Sequence, residues 1–358
     1  MMARDRLAAL EIDGAFGEGG GQLVRTAVAL SAVTGTPIRV SDIRARRMRP
    51  GLAPQHLAAI KAIAELCAAN TEGLRLRSEE LFFAPGPIPG GRYTVDVGTA
   101  GSVTLVLQAL LPVMIAARAP VDLRIFGGTD VMAAPPLDYF QFVLLPILDR
   151  FGVKASISTV RRGYYPKGGG EVRVLAAPSS LRGAGHLGPN TVKSVRGIAH
   201  SANLPPGVAE RMRNAALAGL GNALRAEIRV SADEVAIGAG GAIVIWTDGG
   251  TASLGAGRVA QRGVRAETLG REVADELRAD LAAGASLDRH AADQILVYAA
   301  LAAGPTSFLA REVTEHARTI MWLTEQFVPV QFRIAERLGE SVEVRIEPAQ
   351  PHGRTALV

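Results

Sequence analysis

Apolar and polar residues follow one another in an order that repeats along the first half of the chain. Period-2 alternation predicts strands, and apolar residues spaced three and four apart predict helices. The strands are predicted at residues 11–13, 37–43, 74–83, 93–97, 121–126, 154–160 and 171–174. The helices are predicted at residues 22–33, 54–69, 102–117 and 137–151. This order indicates repeated β-α-β-α-β-β units of the α/β (α+β) class.

The order changes near residue 185 and returns after residue 284. The intervening segment predicts strands at 193–200, 227–230 and 242–246 and helices at 207–220 and 265–281. Beyond it, helices are predicted at 287–303 and 316–326, and strands at 308–313, 329–334 and 342–346. We therefore expect a large domain of residues 1–185 plus 284–348, a smaller inserted α/β domain of residues 186–283, and a tail of residues 349–358. Glycine-containing segments at 183–188 and 282–286 mark the expected crossings.

Composition narrows the class of protein. A length of 358 residues with 48% hydrophobic content supports a substantial core. The single cysteine, Cys67, excludes an internal disulfide and a cysteine-cluster metal site. The longest apolar stretch, residues 103–117, is too short to cross a bilayer comfortably, and the mixed-charge first ten residues do not resemble a signal peptide. We expect a cytoplasmic protein without a membrane partner.

The formal net charge of +5 comes mainly from arginine, which binds phosphate through planar, two-pronged contacts. This favours a polyanionic partner, although genomic base composition alone can also enrich arginine. Only 5% of the residues are aromatic, so phosphate recognition should dominate over base stacking if the partner is a nucleic acid.

Two segments near the N-terminus are candidates for phosphate binding. The glycines of residues 17–21 lie between a strand and a helix, where backbone amides and the helix dipole favour an anion. Glu18 beside them is a possible Mg²⁺ or Mn²⁺ ligand. Four arginines crowd residues 44–49, just before Gln55 and His56. A tight turn and a solvated basic loop are the structural alternatives.

Three further segments carry polar groups on predicted turns or helix starts. Residues 127–136 and 164–170 are more simply explained as structural turns. His316 lies near a helix start, where it is either a nucleophile or a structural histidine, and a nucleophilic histidine needs a partner that fixes its tautomer.

These motifs occur in the order found in RNA 3′-terminal phosphate cyclases, which the chain resembles over almost its whole length. The resemblance is carried by residues 18–25, 50–57, 98–108, 127–136, 165–170, 293–294 and 316. It is strongest over 11–174, returns over 287–332, and is weak across the expected insertion.

The resemblance implies the chemistry. His316 would attack the α-phosphate of ATP, expel pyrophosphate and carry AMP as a covalent adduct. AMP would pass to the 3′-terminal phosphate of RNA, and the neighbouring 2′-hydroxyl would close a 2′,3′-cyclic phosphate with release of AMP. Oligomeric state is not implied.

The resemblance also assigns residues to parts of the site. Glu18 corresponds to the ligand of a divalent metal, Mg²⁺ or Mn²⁺. The positions that correspond to the nucleotide site are Gln108, His290, Ala291, Ala292, Asp293 and Gln294. The positions that correspond to the RNA phosphate site are Arg25, Arg44, Arg47 and Gln55. The chain departs from some relatives at His290, where they have tyrosine, and at Ile320, where asparagine is common.

Two other functions fit parts of the pattern. A non-catalytic, cyclase-like protein of ribosome assembly would bind RNA, but such proteins lack the nucleophilic histidine. An enolpyruvyl transferase uses a similar repeated unit and binds phosphorylated substrates, but it needs no histidine adenylation. ATP-dependent labelling of His316 distinguishes the cyclase from both.

Overall fold

A computed structural model of the chain describes residues 9–98, 100–189, 192–222, 224–232, 235–249, 253–336 and 340–348. The predicted tail of residues 349–358 lies outside the described residues. Within the described ranges the α/β class is confirmed, with repeated units in several small mixed sheets.

The first unit contains β1 (Leu10–Asp13), α1 (Gly21–Thr34), β2 (Ile38–Ser41), α2 (Pro54–Leu66), β3 (Asn70–Glu72) and β4 (Leu81–Ala84). Its sheet has the order β1-β2-β4-β3, in which β1 and β2 are parallel and the other pairs are antiparallel. Gly35 ends α1 in a left-handed conformation, and Pro54 begins α2 with its fixed φ.

The second unit repeats this topology. It contains β5 (Gly91–Asp96), α3 (Val103–Ile115), β6 (Val121–Gly127), α4 (Leu137–Tyr139), a π-helical turn (Phe140–Leu144), α5 (Leu145–Arg150), β7 (Lys154–Arg161) and β8 (Gly170–Ala177). The sheet order is β5-β6-β8-β7. The side chain of Ser102 caps α3 by accepting the Leu105 amide at 3.2 Å.

The third unit is split by the insertion. Its first strand, β9 (Gly185–Leu187), precedes the insertion. The insertion contains β10 (Ser194–Ala202), α6 (Val208–Leu220), β11 (Arg225–Ala232), β12 (Gly240–Asp248), β13 (Gly255–Val259) and α7 (Ala266–Ala282). The unit resumes with α8 (Arg289–Leu301), β14 (Thr306–Ala310), α9 (Glu315–Glu325), β15 (Val330–Glu336) and β16 (Val342–Pro348).

The pairing of the last two sheets shows how the insertion is accommodated. The third sheet has the order β15-β16-β14-β9, with β9 parallel to β14, so it matches the first two sheets. The inserted strands form a separate sheet of order β11-β10-β12-β13. The predicted domain boundaries stay a prediction, and β9 straddles the first of them.

One hydrophobic core joins the three units, and a second lies within the insertion. The first contains Val28, Ile60, Leu110 and Leu296, one from each of the helices α1, α2, α3 and α8. The second contains Val195, Met212 and Val273, from β10, α6 and α7. No helix in the described ranges combines the length and apolarity needed to cross a membrane.

One predicted strand was partly wrong. Residues 74–80, expected as the start of a strand at 74–83, form turns, and the strand begins only at Leu81. Arg77 has a φ of 61°, which an extended strand does not allow. Leu74 and Leu76 are two positions apart, as the buried residues of a strand are, but Leu76 is exposed. The short strands β3, β9 and β13 were not predicted.

Candidate active site

A cavity of about 750 Å³ opens where the three units and the insertion meet. Its wall includes the start of α1, the loop after β2, the start of α2, the middle of α3, the start of α8 and the start of α9. The predicted site residues that line it are Arg25, Arg44, Arg47, Gln55, Gln108, His290, Asp293, Gln294 and His316. Four helices, α1, α2, α8 and α9, begin at this wall, so backbone amides and side chains converge on one space.

The glycine-rich loop fits tightly against the start of α2. A Cβ at Gly21 would overlap the His56 imidazole, so only glycine allows this approach. His56 is buried, and its Nδ1 accepts the Ala53 amide at 3.3 Å. Burial and the nearby charge of Arg25, then that of Arg44, lower the pKa of His56 to about 3. His56 is therefore neutral at physiological pH, with its proton on Nε2, the nitrogen that faces Gly21.

Arg25 is a buried cation beside this loop. It is 6% exposed, and its side chain makes no hydrogen bond or ion pair with any residue in the described ranges. Burial lowers the pKa of Arg25 to about 10. A buried guanidinium without a partner is unfavourable unless an anion binds next to it. An anion bound in the cavity beside Arg25 would offset this cost.

Two further arginines come from the loop after β2. Arg44 donates to the Gly51 carbonyl oxygen at 2.7 Å and has a φ of 56°, so its position is fixed by the loop. Burial, together with the charge of Arg47, lowers the pKa of Arg44. Gln55, in the first turn of α2, lines the same part of the cavity. These groups can donate several hydrogen bonds to one phosphate.

His316 is the second residue of α9 and is half-exposed at the cavity. Its Nδ1 lies 3.5 Å from Oε2 of Glu18, and that same oxygen lies 3.4 Å from Arg47. Thr314 caps α9 by accepting the Ala317 amide at 2.9 Å. With Nδ1 directed at a carboxylate, Nε2 is the nitrogen available for attack.

Asp293 lies on α8 and connects that helix to the start of α9. It accepts a hydrogen bond from the Thr314 hydroxyl at 2.8 Å. Burial raises the pKa of Asp293 to about 7, although that hydrogen bond acts in the opposite direction. The contact fixes the cap of α9, and therefore His316, relative to α8.

An amide chain crosses the floor of the cavity. Gln108 donates to the Gln294 side-chain oxygen at 2.9 Å, and Gln294 donates to the His290 carbonyl at 3.0 Å. The His290 ring packs edge-on against Tyr139 with ring centroids 6.1 Å apart. Burial, together with the charge of Arg289, lowers the pKa of His290. A neutral imidazole in this position offers a flat surface to a planar ligand.

The start of α8 is held by a buried carboxylate. Asp288 accepts the Tyr139 hydroxyl at 2.6 Å, the Gly255 amide at 2.9 Å and the His290 amide at 3.0 Å. Burial raises the pKa of Asp288 to about 6 even though these donors oppose the rise. Gly255 belongs to the insertion, so Asp288 joins both parts of the fold beneath His290.

Comparison with known proteins identifies the family. The family model described as RNA 3′-terminal phosphate cyclase matches residues 16–334. The chain belongs to the RNA 3′-terminal phosphate cyclase family. An RNA 3′-terminal phosphate cyclase from Nitrosospira multiformis is 50% identical over 341 residues, covering 94% of this chain and 96% of that protein.

More distant members of the cyclase family match over the same extent. The RNA 3′-terminal phosphate cyclases of Pyrobaculum neutrophilum and Methanopyrus kandleri are each 44% identical to this chain, with 95% and 96% of it covered. The match covers 98% and 99% of those two proteins. Among solved structures, the enolpyruvyl transferase NikO from Streptomyces tendae matches with 11% identity and a TM-score of 0.25. That match covers 95% of this chain and 65% of NikO.

Three predicted residues and one departure from the cyclase relatives are not among the residues that line the cavity. One of the three, Glu18, contacts the lining residue His316. Ala291 and Ala292 lie on α8, are buried in the hydrophobic core and are not among the lining residues. Ile320 is also buried and shares with Arg25 the wall of a side cavity of about 30 Å³. Ile320 itself offers the Arg25 guanidinium no acceptor, which an asparagine at this position would.

The insertion contributes residues that the sequence did not suggest. Gly257, Arg258, Val259 and Gln261 line the cavity from β13 and the turn after it. Arg258 is held by Glu276 at 2.7 Å and Glu272 at 2.9 Å, both on α7. Only long-range folding brings these residues to the site, so no local motif could have indicated them.

The motifs at 127–136 and 164–170 contain both residues that line the cavity and residues that are buried away from it. Residues 131–135 line the cavity, whereas Asp130 and Tyr164 are buried beside His200 of the insertion. The Tyr164 hydroxyl lies 2.9 Å from His200 Nδ1, and His200 Nε2 lies 3.4 Å from Asp138 and 3.7 Å from Asp130.

The buried contact of His200 with Tyr164, Asp130 and Asp138, here called the junction, is charged. Burial alone would lower the pKa of His200, but the two carboxylates outweigh it and raise that pKa. Burial would likewise raise the pKa of Asp130, but the charges of His200 and Arg162 outweigh it and lower that pKa. The junction therefore links the insertion electrostatically to the loop that forms part of the cavity wall.

Proposed function

We propose that this chain is an ATP-dependent RNA 3′-terminal phosphate cyclase that acts through adenylated His316. The observation that carries the proposal is the convergence of a half-exposed histidine, directed by Glu18, with a buried arginine that has no partner in the described ranges. His316 would supply the nucleophile and Arg25 the anion site, and both residues line one cavity.

The reaction has three steps. His316 Nε2 attacks the α-phosphorus of ATP, forming an N–P bond while the bond to pyrophosphate breaks. An oxygen of the RNA 3′-phosphate then displaces His316 and takes the AMP. Finally the 2′-hydroxyl oxygen, as it loses its proton, attacks the 3′-phosphorus, and AMP leaves with the electron pair of the broken P–O bond. Each step is an in-line displacement, so positioning and charge stabilisation supply most of the catalysis.

Glu18 fixes the attacking histidine in this scheme. A carboxylate 3.5 Å from Nδ1 favours the tautomer with the proton on that nitrogen and leaves the Nε2 lone pair free. It also stabilises the imidazolium-like charge that develops as the N–P bond forms.

A divalent cation, Mg²⁺ or Mn²⁺, fits Glu18 only in a site completed by substrate. No cluster of three or more His, Cys, Asp and Glu side chains suited to a metal occurs in the described part of the chain. Magnesium, however, is commonly bound through one carboxylate together with nucleotide phosphates. In such a site Glu18 would hold the cation, which would neutralise phosphate charge when bound.

The RNA 3′-phosphate is proposed to bind at Arg25, Arg44, Arg47 and Gln55. Arg25 supplies a buried guanidinium, and the other three side chains line the adjacent wall of the cavity. The neutral His56 Nε2–H, facing Gly21, adds a donor at the start of α1. A dianionic phosphate at this point would be neutralised by the arginines and by the helix N-terminus.

ATP is proposed to bind along α8 and α3. The His290 ring would stack on the adenine, and Gln108, Asp293 and Gln294 would contact the nucleotide from the cavity floor. Replacement of the larger tyrosine ring by His290 should weaken stacking, since imidazole covers less of the base.

The proposal is tested by labelling with α-³²P-ATP and a divalent metal in the absence of RNA. Wild-type protein should acquire an acid-labile label that RNA 3′-phosphate removes, and His316→Asn should acquire none. His186→Asn is the matched control, because His186 is an exposed histidine on β9, bonded to Ser307 and outside the cavity lining. Absence of label from the wild type across metals and pH would refute the mechanism, as would retention of label in His316→Asn.

A further inference from the structure

A second cluster of arginines lies beside the proposed RNA phosphate site on two interlocked loops. The loop of residues 42–52 follows β2, and the loop of residues 73–80 precedes β4. Backbone hydrogen bonds join them: the Ile43 amide donates to the Glu79 carbonyl at 3.0 Å, and the Arg77 amide donates to the Leu52 carbonyl at 2.9 Å. Gly51, with a φ of 75°, has no room for a Cβ against the Arg77 backbone. The surface is therefore built on a fixed backbone.

The two loops carry six arginines against three carboxylates. Arg44 and Arg47 face the cavity, whereas Arg46, Arg49, Arg75 and Arg77, here named the arginine ridge, are exposed and lie outside its lining. The side chains of the ridge make no hydrogen bond or ion pair with any residue in the described ranges.

Several exposed arginines elsewhere in the described ranges do have carboxylate partners, although Arg118 has none. On the second sheet, Arg173 pairs with Asp122 at 2.7 Å, and Arg124 pairs with Glu171 across the strands. In the insertion, Arg196 pairs with Asp248 at 2.8 Å. The ridge instead brings four arginines, unpaired within the described ranges, onto two joined loops, one of which also carries the cavity-lining Arg44 and Arg47.

We propose that the arginine ridge binds the phosphodiester groups of the nucleotides that precede the RNA 3′-terminal phosphate. The inference rests on the proposed function, because the terminal phosphate must occupy the cavity for the preceding nucleotides to reach the ridge. Guanidinium groups bind phosphate oxygens irrespective of base. Residues 42–52 and 73–80 contain no aromatic residue, so the ridge provides no platform for base stacking and selects for a backbone rather than a sequence.

The test compares substrates of two lengths. The probes are a 3′-phosphorylated uridine dinucleotide and a 3′-phosphorylated uridine decamer, and the variant is Arg46→Gln/Arg49→Gln/Arg75→Gln/Arg77→Gln. We expect the KM for the decamer to rise about 10-fold or more, with kcat and the KM for the dinucleotide little changed. The slope of log Kd against log salt for the decamer should fall by about 0.7 for each phosphate that the variant no longer neutralises.

Arg118→Gln is the matched control. Arg118 is exposed, its side chain has no partner in the described ranges, and it lies beyond the C-terminal end of α3, away from the cavity. Neither KM should change. The pairs Arg46→Gln/Arg49→Gln and Arg75→Gln/Arg77→Gln, tested separately, should each give part of the effect if the fourfold variant does not fold.

Labelling by α-³²P-ATP without RNA separates failure of this inference from failure of the proposed function. If the wild type is not labelled, the proposed function fails. If the ridge variant is labelled at the normal rate yet keeps the wild-type KM for the decamer, the ridge inference is overturned. An equal loss of affinity for both lengths would also overturn it, because the arginines would then act on the terminal phosphate.

Discussion

Replacement of Arg25 by methionine is expected to stabilise the ligand-free protein while it removes the proposed anion subsite. Burial lowers the pKa of Arg25 to about 10, well below that of an exposed guanidinium, and each pKa unit corresponds to about 1.4 kcal/mol. The charge therefore costs the folded protein about 3 kcal/mol as an upper bound. Methionine keeps much of the apolar stem without the charge. We expect the free energy of unfolding to rise by about 1–3 kcal/mol, the lower end applying if water reaches the guanidinium through the cavity.

Urea denaturation at pH 7.5 measures the change, provided that wild type and variant share the same m-value. Pyrophosphate in excess should stabilise the wild type, by about 2.7 kcal/mol at 100 times its Kd, and should stabilise Arg25→Met far less. Arg118→Met is the control, since an exposed arginine without a partner in the described ranges should change stability by no more than about 0.5 kcal/mol.

Two results would refute this reasoning. A loss of more than about 1 kcal/mol in Arg25→Met, at unchanged m-value, would mean that the guanidinium is satisfied within the protein in solution. Equal stabilisation of wild type and variant by pyrophosphate would mean that Arg25 does not contact the bound anion.

Three further changes test other parts of the site. Glu18→Gln should slow RNA-independent labelling of His316 by about 100-fold, because a neutral amide does not stabilise the positive charge that develops on the ring and can donate to Nδ1 as well as accept from it. An unchanged single-turnover rate would contradict that role. His200→Gln should lower the free energy of unfolding by about 3–5 kcal/mol by removing a buried cation from two carboxylates. Because the pKa of His200 is raised on folding, its stabilisation should be full below its unfolded pKa and decline as pH rises through the folded value; a pH-independent difference in urea unfolding would argue against a charged His200. Gly21→Ala should impair labelling and RNA binding together, since its methyl group overlaps His56, and normal activity would show that the loop can shift.

Much of the fold was predictable because its signals are local. The helices α1, α3 and α7 were predicted to within about two residues, since their apolar periodicity extends over three or more turns. The short strands β3, β9 and β13 were missed because three to five residues give too few alternations to distinguish from a turn. Residues 74–80 show the opposite error, in which chance alternation imitated a strand.

The candidate site was likewise predictable only in part. Glu18, Arg44 and His316 were singled out from motifs, because each lies in a short segment whose residue types suggest phosphate chemistry. The lack of a partner for Arg25 within the described ranges and the contact of Thr314 with Asp293 could not be predicted, since both depend on which distant side chains lie alongside.

The sequence by itself therefore determined the repeated units, the family resemblance and the residue types at the cavity, all of which are carried by contiguous segments. The tertiary structure alone decided that Glu18 faces His316 across elements almost 300 positions apart in the chain, and that β13 of the insertion lines the cavity. It also decided that, among the residues described, Arg25 is buried without a partner while Arg46, Arg49, Arg75 and Arg77 are exposed without one. Burial and pairing depend on the neighbours that folding supplies. The same residue type therefore differs between positions in the free energy it contributes to folding and in what its side chain can bind.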